Sequence, residues 1–320
     1  MGKGNFIISL DFELHWGGAE KWDLSERKAY FDNTRKSIPL VLALFEKYNI
    51  HATWATVGFL FAESKEDIIK YSPDLKPSYL DHKLSYYPYI ESKDVGSNEK
   101  EDPYHFAHSL IKKIISTPNQ ELASHSFEHY YCNEPGQTML QFDADLKAAQ
   151  AISRDKFNIE LKSLVLPRNQ FNLEYIEIAK NNGIKVVRSN PDVWFWQGKD
   201  LEYPIARAID ALTKISKSSI FSKSLVKNGE ILLLPASRFL RPYTKNEKKV
   251  HFLKFSRIKR EMTKAAKQNK NYHLWWHPHN FGNSLDENLK YLEDILKHYK
   301  KLNHKHDFNS KTMIEMYENE

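Results

Sequence analysis

Short apolar runs alternate along the chain with longer segments whose apolar residues recur at helical spacing. The run of Ile7, Ile8 and Leu10 in "IISLDF" is typical of a buried strand, because it is too short for a helix. Seven runs of this kind predict strands at 6–11, 51–56, 121–124, 162–167, 184–187, 230–234 and 272–276. Helical spacing predicts helices at 34–49, 105–117, 138–155, 172–183, 245–271 and 284–302. This alternation predicts an α/β fold in which helices cover parallel strands.

The chain is expected to form one domain over residues 1–320. It is long enough to bury a sizeable core, and neither a linker rich in Pro, Gly or Ser nor an internal repeat divides it. Two segments, 75–104 and 190–204, interrupt the alternation with aromatic, Pro and charged residues. We interpret them as insertions at the end of the sheet or barrel where loops shape a substrate site.

Polar side chains follow the apolar strands at the points where the strands end. Asp11 and Glu13 end the first strand, His125 ends the third and His277 ends the seventh. The other strand ends carry Arg168, Ser189, Asn190 and Arg238. Because α/β folds build their active sites at the carboxyl ends of the strands, we expect these residues to converge.

His125 and His129, in "ASHSFEHYYC", are four residues apart, which would place both rings on one face of a helical turn. Two imidazoles and one carboxylate form a three-ligand site that leaves a position open for water, as in catalytic metal centres. In a chain with 14 histidines, a surface pair is the alternative. The position beside a strand that ends in carboxylates favours the metal site.

Asp11 and Glu13 are separated by one residue, so on an extended strand they would point the same way. They can coexist if one binds a divalent cation and the other is neutralised by an ion pair. Arg168, in "LPRNQ", lies at a strand end and could hold a carboxylate bidentately. A helix cap or a solvated loop is the alternative for the two acids.

His277, in "YHLWWHPHNFG", ends the last predicted strand and is suited to act as a general acid opposite a carboxylate base. His279 competes for that role, but it lies beyond Pro278 in a turn of unknown direction. The neighbouring Trp275 and Trp276 are candidates for core, pocket wall or a platform for a sugar ring.

These motifs together resemble those of the NodB-homology polysaccharide deacetylases, carbohydrate esterase family 4, and in particular a bacterial branch found with surface-polysaccharide genes. The resemblance covers nearly the whole chain and is carried by "SLDFE", "HATWATVGF", "SHSFEH", "LPRNQ" and "WWHPH". In this chain Phe12 separates the two acids, and the third motif has the order Pro-Arg.

The resemblance implies a distorted (β/α)7 barrel of the NodB type, with loop insertions at the carboxyl end of the strands. It also implies one divalent metal ion per chain, usually Zn2+ or another such as Co2+. On this sequence the implied metal ligands are Glu13, His125 and His129. The implied base is Asp11, oriented by Arg168, and the implied acid is His277.

The expected reaction is hydrolysis of an N-acetyl or other N-acyl group on an amino sugar. The alternatives are hydrolysis of another non-peptide amide, such as a formamide or cyclic ureide, or a catalytically inactive carbohydrate-binding protein. Arg238 and Arg241 could bind a phosphate or uronate, with surface salt bridges as the alternative. The full set of expected substrate-binding residues is Trp16, Asn169, Arg238, Arg241, Trp276 and His279.

The formal charge of +6 and pI near 9.0 could indicate nucleic-acid binding, but lysines lie along most predicted helices, where they form solvated faces. No nucleic-acid recognition motif accompanies them. The densest basic stretch, 245–271, predicts an amphipathic helix with a basic outer face. An anionic membrane surface or a phosphate-bearing substrate is a secondary interpretation of that stretch.

The sequence predicts a cytoplasmic protein. No apolar run approaches the roughly 20 residues that cross a bilayer, and no signal sequence precedes the first strand. A single cysteine, Cys132, suits a reducing compartment. The expected substrate is therefore an amino sugar met before export, linked to a nucleotide or a lipid.

Overall fold

A sheet of parallel strands curls into a half-barrel and carries the helices on its outside. The computed structural model describes residues 3–92, 95–191, 219–222, 227–228 and 230–318. The strands are β1 (Asn5–Phe12), β2 (Ala52–Thr56), β3 (Gln120–Ser124), β4 (Ser163–Val165), β5 (Val186–Ser189), β6 (Lys227–Asn228), β7 (Ile231–Pro235), β8 (Arg238–Phe239), β9 (Tyr272–Trp276) and β10 (Asn309–Lys311). The helices are α1 (Leu24–Tyr48), α2 (Lys65–Tyr71), α3 (Tyr87–Glu91), α4 (His108–Ser116), α5 (Met139–Phe157), α6 (Leu173–Asn181), α7 (Lys248–Lys267), α8 (Leu285–His306) and α9 (Met313–Glu318).

The strand order is β6-β7-β5-β4-β3-β2-β1-β9-β8, with β10 paired to the beginning of β1. Among the described strands, β6 pairs antiparallel with β7 and the other pairs are parallel. This topology confirms the predicted α/β fold of the distorted (β/α)7 NodB type.

The seven predicted strands correspond to β1, β2, β3, β4, β5, β7 and β9. Three further strands, β6, β8 and β10, are only two or three residues long, which is too short to produce a periodic pattern. Helix α1 begins at Leu24 rather than at 34, because Asp23 caps it by accepting a hydrogen bond from the Ser25 amide at 2.8 Å. The predicted insertion at 75–104 contains α3, and most of 190–204 lies outside the described residues.

Alternate residues of β1 face two different environments. Phe6, Ile8, Leu10 and Phe12 pack in the main core between the sheet and the outer helices. On the opposite face, inside the barrel, Ile7 packs with Val165 of β4 and Leu234 of β7, and Met313 and Met316 of α9 join them. This inner core leaves the carboxyl end of the barrel for polar residues. Asp11 follows Ile7 at even spacing and therefore lies on the inner face.

The register of the central strands aligns the predicted site residues at one edge. Leu10 of β1 pairs with Trp276 of β9, and Phe12 pairs with Thr56 of β2. Thr56 in turn pairs with Ser124, the last residue of β3. The residues that directly follow β1, β3 and β9 therefore meet at the carboxyl edge of the sheet. Within the described ranges, no helix has the length and apolar character needed to cross a bilayer.

Candidate active site

Asp11 forms a buried, bidentate ion pair with Arg188, the third residue of β5. Their oxygen and nitrogen atoms are 2.6 and 2.7 Å apart. Burial alone would raise the pKa of Asp11, but the charge and hydrogen bonds of Arg188 outweigh it and hold this pKa below its ordinary value. Asp11 is therefore a fixed, ionised carboxylate.

Further residues inside the barrel fix the Arg188 guanidinium. Its Nη1 donates to Ser9 Oγ at 3.0 Å, and its Nη2 donates to Asn169 Oδ1 at 2.9 Å. Ser9 Oγ lies 2.8 Å from His273 Nε2, while His273 Nδ1 lies 3.2 Å from the Pro235 carbonyl. Burial, followed by the charge of Arg188, lowers the pKa of His273 to about 3, so this ring is neutral. Its Nδ1 donates to the carbonyl and its Nε2 accepts from Ser9.

The expected pair between Arg168 and Asp11 does not form. Arg168 and Asn169 have left-handed backbone angles, with φ of 53° and 54°. This turn directs the Arg168 guanidinium onto the Tyr131 ring, 4.0 Å from its centroid, and into an ion pair with Glu20. Arg188 directly follows the predicted strand 184–187, but sequence reasoning passed over it in favour of Ser189 and Asn190 at the same strand end.

One carboxylate oxygen of Glu13 lies beside three histidine nitrogens. Glu13 Oε1 is 3.0 Å from His125 Nε2, 3.3 Å from His129 Nε2 and 3.6 Å from His277 Nε2. Ligand atoms of Glu13, His125 and His129 lie within 4.8 Å of one another, and all three residues are buried. The structure thus brings together the three residues that were expected to bind the metal.

The hydrogen bonds of His125 leave its Nε2 free to bind a cation. Its Nδ1 lies 2.8 Å from the Val165 carbonyl, which can only accept, so Nδ1 carries the proton of the neutral ring. The Nε2 lone pair then faces Glu13 Oε1, which is also an acceptor. Two acceptors facing each other repel, and a divalent cation bound to both would remove that repulsion. Two imidazole nitrogens and one carboxylate oxygen are ligands that bind Zn2+ and Co2+ in proteins. The residues therefore fit the implied metal.

A chain of hydrogen bonds fixes the second histidine in the same form. Tyr86 donates to Glu20 Oε2 at 2.7 Å, so its oxygen accepts from Tyr131, 3.1 Å away. The Tyr131 oxygen, 2.9 Å from His129 Nδ1, then accepts the proton on that nitrogen. Burial would raise the pKa of Glu20, but the Tyr86 hydrogen bond and the Arg168 charge hold it below its ordinary value. Arg168 thus stabilises the Glu20 carboxylate at the far end of this hydrogen-bond series, and the series leaves His129 Nε2 available to bind a cation.

The turn that carries the two histidines is irregular, and the expected helical turn is wrong. Ser126 and His129 adopt positive φ angles of 60° and 65°. Asp145 of α5 holds the turn, because its two oxygens accept the backbone N–H groups of Phe127 at 2.7 Å and Glu128 at 3.0 Å. Buried backbone donors are thereby satisfied while both imidazoles point to Glu13.

Gly17 permits the close packing around Glu13. A Cβ atom at this position would lie 1.9 Å from Glu13 Oε2. Burial would raise the pKa of Glu13, but the charge of His277, followed by the proximity of His125 and His129, holds it well below its ordinary value. The Glu13 side chain is therefore ionised and sterically confined.

His277 and His279 both lie at the site, in stacked rings whose centroids are 4.8 Å apart. The His277 side chain is 25% exposed, and its Nε2 is 3.8 Å from Asp11 Oδ2. His279 is buried, with its Nδ1 3.7 Å from Glu13 Oε2. Burial, and then the charge of His277, lowers the pKa of His279 to about 3. Of the two rings, His277 is the more accessible to a substrate.

Several expected substrate-binding residues are engaged elsewhere. Trp16 and Trp276 are fully buried in the main core, so neither forms a sugar platform. Arg238 donates to both oxygens of Glu261 on α7, each at 2.7 Å, in a largely buried salt bridge, whereas the alternative left by the sequence was a surface one. Arg241 is half-buried, and its charge adds to the larger effect of the Lys254 hydrogen bond in lowering the pKa of Glu247. Asn169 contacts Arg188 and therefore belongs to the support of Asp11.

The fold and the site define a half-barrel protein with a carboxylate and histidine centre at the carboxyl ends of its strands. A family model described as polysaccharide deacetylase matches residues 29–187, and the chain belongs to this family of hydrolases. The match contains His125 and His129, whereas Asp11, Glu13 and His277 lie outside it. No curated protein sequence matches the chain.

Solved structures share the fold at low sequence identity. A protein assigned as a polysaccharide deacetylase from Mycobacterium smegmatis is 10% identical with a TM-score of 0.63, over 99% of this chain and 90% of that one. One from Pseudomonas aeruginosa PAO1 is 9% identical with a TM-score of 0.53, over 98% and 89%. The PuuE allantoinase is 10% identical with a TM-score of 0.53, over 98% and 88%. At these identities the likenesses describe the fold alone.

Proposed function

We propose that this chain is a metal-dependent hydrolase that removes an N-acetyl or other N-acyl group from an amino sugar. The observation that carries the proposal is the position of His125 Nε2 and His129 Nε2 at 3.0 and 3.3 Å from one oxygen of Glu13. Membership of the polysaccharide deacetylase family supports a carbohydrate substrate. A divalent cation held by these three residues would act as a Lewis acid on the acyl carbonyl and promote the ionisation of water.

Asp11 is the proposed general base. Its carboxylate is ionised and held in one orientation by Arg188, so it is ready to accept a proton from the attacking water. Its Oδ2 also lies 3.8 Å from His277 Nε2, which places the proposed base beside the proposed acid at the strand ends. Arg188, Ser9 and His273 act as positioning residues, because each reaches the reaction only through Asp11.

His277 is the proposed general acid. It is the exposed member of the stacked histidine pair, and its Nε2 faces the two carboxylates. In the proposed reaction the water oxygen bonds to the acyl carbon and the water proton passes to Asp11. The C–N bond then breaks as His277 protonates the leaving nitrogen. The products are a free amino sugar and acetate or the corresponding acid.

The proposed substrate is an amino sugar of a surface polysaccharide, or its nucleotide- or lipid-linked precursor, in the cytoplasm. The use of a single cysteine in 320 residues suits a reducing compartment. The cation carried by Glu13, His125 and His129 is proposed to be Zn2+ or Co2+.

Acetate release tests this proposal. Zinc-loaded protein is incubated with N-acetylated nucleotide sugars and lipid-linked oligosaccharides, beside formamides and cyclic ureides. Glu13→Gln serves as the inactive control, since it removes the carboxylate ligand. Release of acetate from amino sugars alone supports the proposal. Turnover of a formamide or cyclic ureide alone would replace the substrate class, and zinc-loaded protein that binds saccharides without turnover would indicate a binding protein.

A further inference from the structure

Positive charge is concentrated in one segment, residues 245–270, which comprises the residues just before α7, the helix itself and its end. This segment contains ten Lys or Arg residues and two Glu residues, and therefore has a net charge of +8. The whole chain has a net charge of +6, so the remainder is slightly acidic at −2. The net positive charge of the protein therefore comes from this one segment.

The outward face of α7 is cationic, because the one acid in the helix is turned inward. Glu261 is buried and bound by Arg238 and by Arg257, whose Nε lies 3.1 Å from its Oε1. The exposed residues along the opposite face include Arg260, Lys264 and Lys267. Their charges thus face solvent with no carboxylate of the same helix beside them.

Two large apolar residues lie on the same face, in the first turns of α7. The Phe252 side chain is 71% exposed and Leu253 is 46% exposed. Single exposed apolar residues are common on soluble proteins. An exposed aromatic next to an exposed leucine within a lysine-rich helical face is the composition of segments that lie in a membrane interface.

This part of α7 lies at the active-site end of the barrel. Strand β8, which precedes α7, runs parallel to β9, and its last residue, Phe239, has its ring centroid 5.8 Å from that of His277. The amide of Tyr243 donates to Asn288 Oδ1 at 2.7 Å, in the first turn of α8. The His251 and Tyr291 rings then pack at 4.2 Å. The segment between Phe239, beside the proposed acid His277, and the exposed Phe252 and Leu253 is therefore short and packed against α8.

We propose that the outward face of α7 docks the protein onto an anionic membrane surface. Phe252 and Leu253 enter the headgroup region, and Lys245, Arg260 and Lys264 contact anionic lipid headgroups. A soluble polyanion or nucleic acid would also bind the cations, but it would give no role to the exposed Phe-Leu pair. Docking in this way places the open end of the barrel near the bilayer, where a lipid-linked saccharide would be met; this last step rests on the proposed function.

Vesicle sedimentation of the full chain tests the docking. We expect the protein to pellet with vesicles of phosphatidylcholine and phosphatidylglycerol in equal parts, to remain soluble with phosphatidylcholine alone, and to be released by high salt. The substitution of Arg260, Lys264 and Lys267 by Gln should lower the partition coefficient roughly 100-fold, because each cation near an anionic surface contributes about fivefold. Phe252→Ser with Leu253→Ser should lower it roughly tenfold.

Matched variants on other surfaces control for charge and hydrophobicity. Substitution of Lys300, Lys301 and Lys305 by Gln removes the same charge from the exposed face of α8. Leu80→Ser with Leu140→Ser removes two leucines that are 75% and 71% exposed. Both controls should bind vesicles like the unaltered protein.

Equal losses in the control and α7 variants would overturn the docking proposal, as would equal binding to neutral vesicles. Vesicle binding that survives Phe252→Ser with Leu253→Ser, and that heparin displaces, would identify a polyanion surface instead. Sedimentation needs no turnover. Absence of vesicle binding together with acetate release would therefore overturn the docking alone, whereas binding without any hydrolysis would overturn the proposed function alone.

Discussion

The ion pair between Asp11 and Arg188 allows a quantitative test of how the barrel holds the proposed base. The two side chains are 3% and 1% exposed, and their atoms are joined at 2.6 and 2.7 Å. Removal of one partner leaves the other charge buried without its counter-ion, which typically costs about 3–5 kcal/mol. We expect Arg188→Met to lower the free energy of unfolding by about 3–5 kcal/mol, and Asp11→Asn to do so by a similar amount.

Urea unfolding of both single variants and the double variant measures the coupling between the two residues. The double variant leaves no unpaired member of this ion pair, so its loss should be smaller than the sum of the single losses by roughly 1–3 kcal/mol. The dependence of the unfolding free energy on urea concentration should have the same slope in all variants, which would show that each variant exposes the same surface on unfolding. Additive losses would refute the reasoning, because they would mean that Asp11 and Arg188 do not stabilise each other.

Turnover separates Arg188 from Arg168, the arginine that the sequence favoured. Arg188→Met should reduce kcat roughly 100-fold or more, because Asp11 loses its orientation. The protein should still bind zinc, because the three metal ligands are unchanged. Arg168→Met should instead weaken zinc binding through Glu20, Tyr86 and Tyr131. The opposite pattern, with Arg188→Met near normal in kcat, would show that Asp11 does not depend on this pair.

Three further predictions concern the surroundings of the site. Tyr131→Phe removes the acceptor for His129 Nδ1–H and should weaken zinc affinity roughly 10-fold or more, measured by competition with a chelating dye, whereas Tyr175→Phe should not. His277→Ala should retain zinc and lose most turnover, and the loss should be smaller for substrates whose leaving amine has a low pKa. His279→Ala should mainly weaken substrate binding. Near-normal turnover of His277→Ala on the natural amide would contradict the assignment of His277 as the acid. Burial raises the pKa of Asp145 from 3.8 to about 7, so the folded state holds this proton more tightly than the unfolded state. The free energy of unfolding should therefore fall as the pH rises from about 4 to about 7. Asp145→Asn should flatten that part of a urea-unfolding pH series, and an unchanged slope would argue against the shift.

The sequence was sufficient to predict the main strands and the convergence of Asp11, Glu13, His125, His129 and His277. Each of these residues stands at or just beyond the end of an apolar run, and parallel strands bring such ends to one edge. Their convergence therefore follows from local patterns and from the fold class, although the irregular turn that carries His125 and His129 does not.

Arg188 also follows an apolar run directly, but its pairing with Asp11 could not be predicted in the same way, because that pairing depends on the curvature of the sheet. In the strand order, β4, β3 and β2 separate β5 from β1. Only the curl of the half-barrel brings the Arg188 guanidinium across the interior to Asp11. Arg168 satisfied the pattern at a strand end, but its positive φ of 53° turns it toward Glu20. Such a turn leaves no signal in hydrophobic periodicity.

The burial of Trp16 and Trp276 was likewise not determined by the sequence. A tryptophan at the end of a strand can line a pocket or fill the core, and the pattern is the same in both cases. In the structure the Trp16 indole nitrogen donates to the His105 carbonyl at 2.9 Å, and Trp276 stacks on Phe281. Both rings therefore support the loops of the site from behind.

Anomalous X-ray diffraction at the zinc edge tests the central claim most directly. Crystals of protein purified without chelator and supplied with zinc should show one strong peak per chain, bonded to the Glu13 carboxylate, His125 Nε2 and His129 Nε2. The peak should be absent from Glu13→Gln and present in Asp11→Asn. Protein that stays free of zinc, a peak at other residues, or a peak that depends on Asp11 and not on Glu13 would contradict the account.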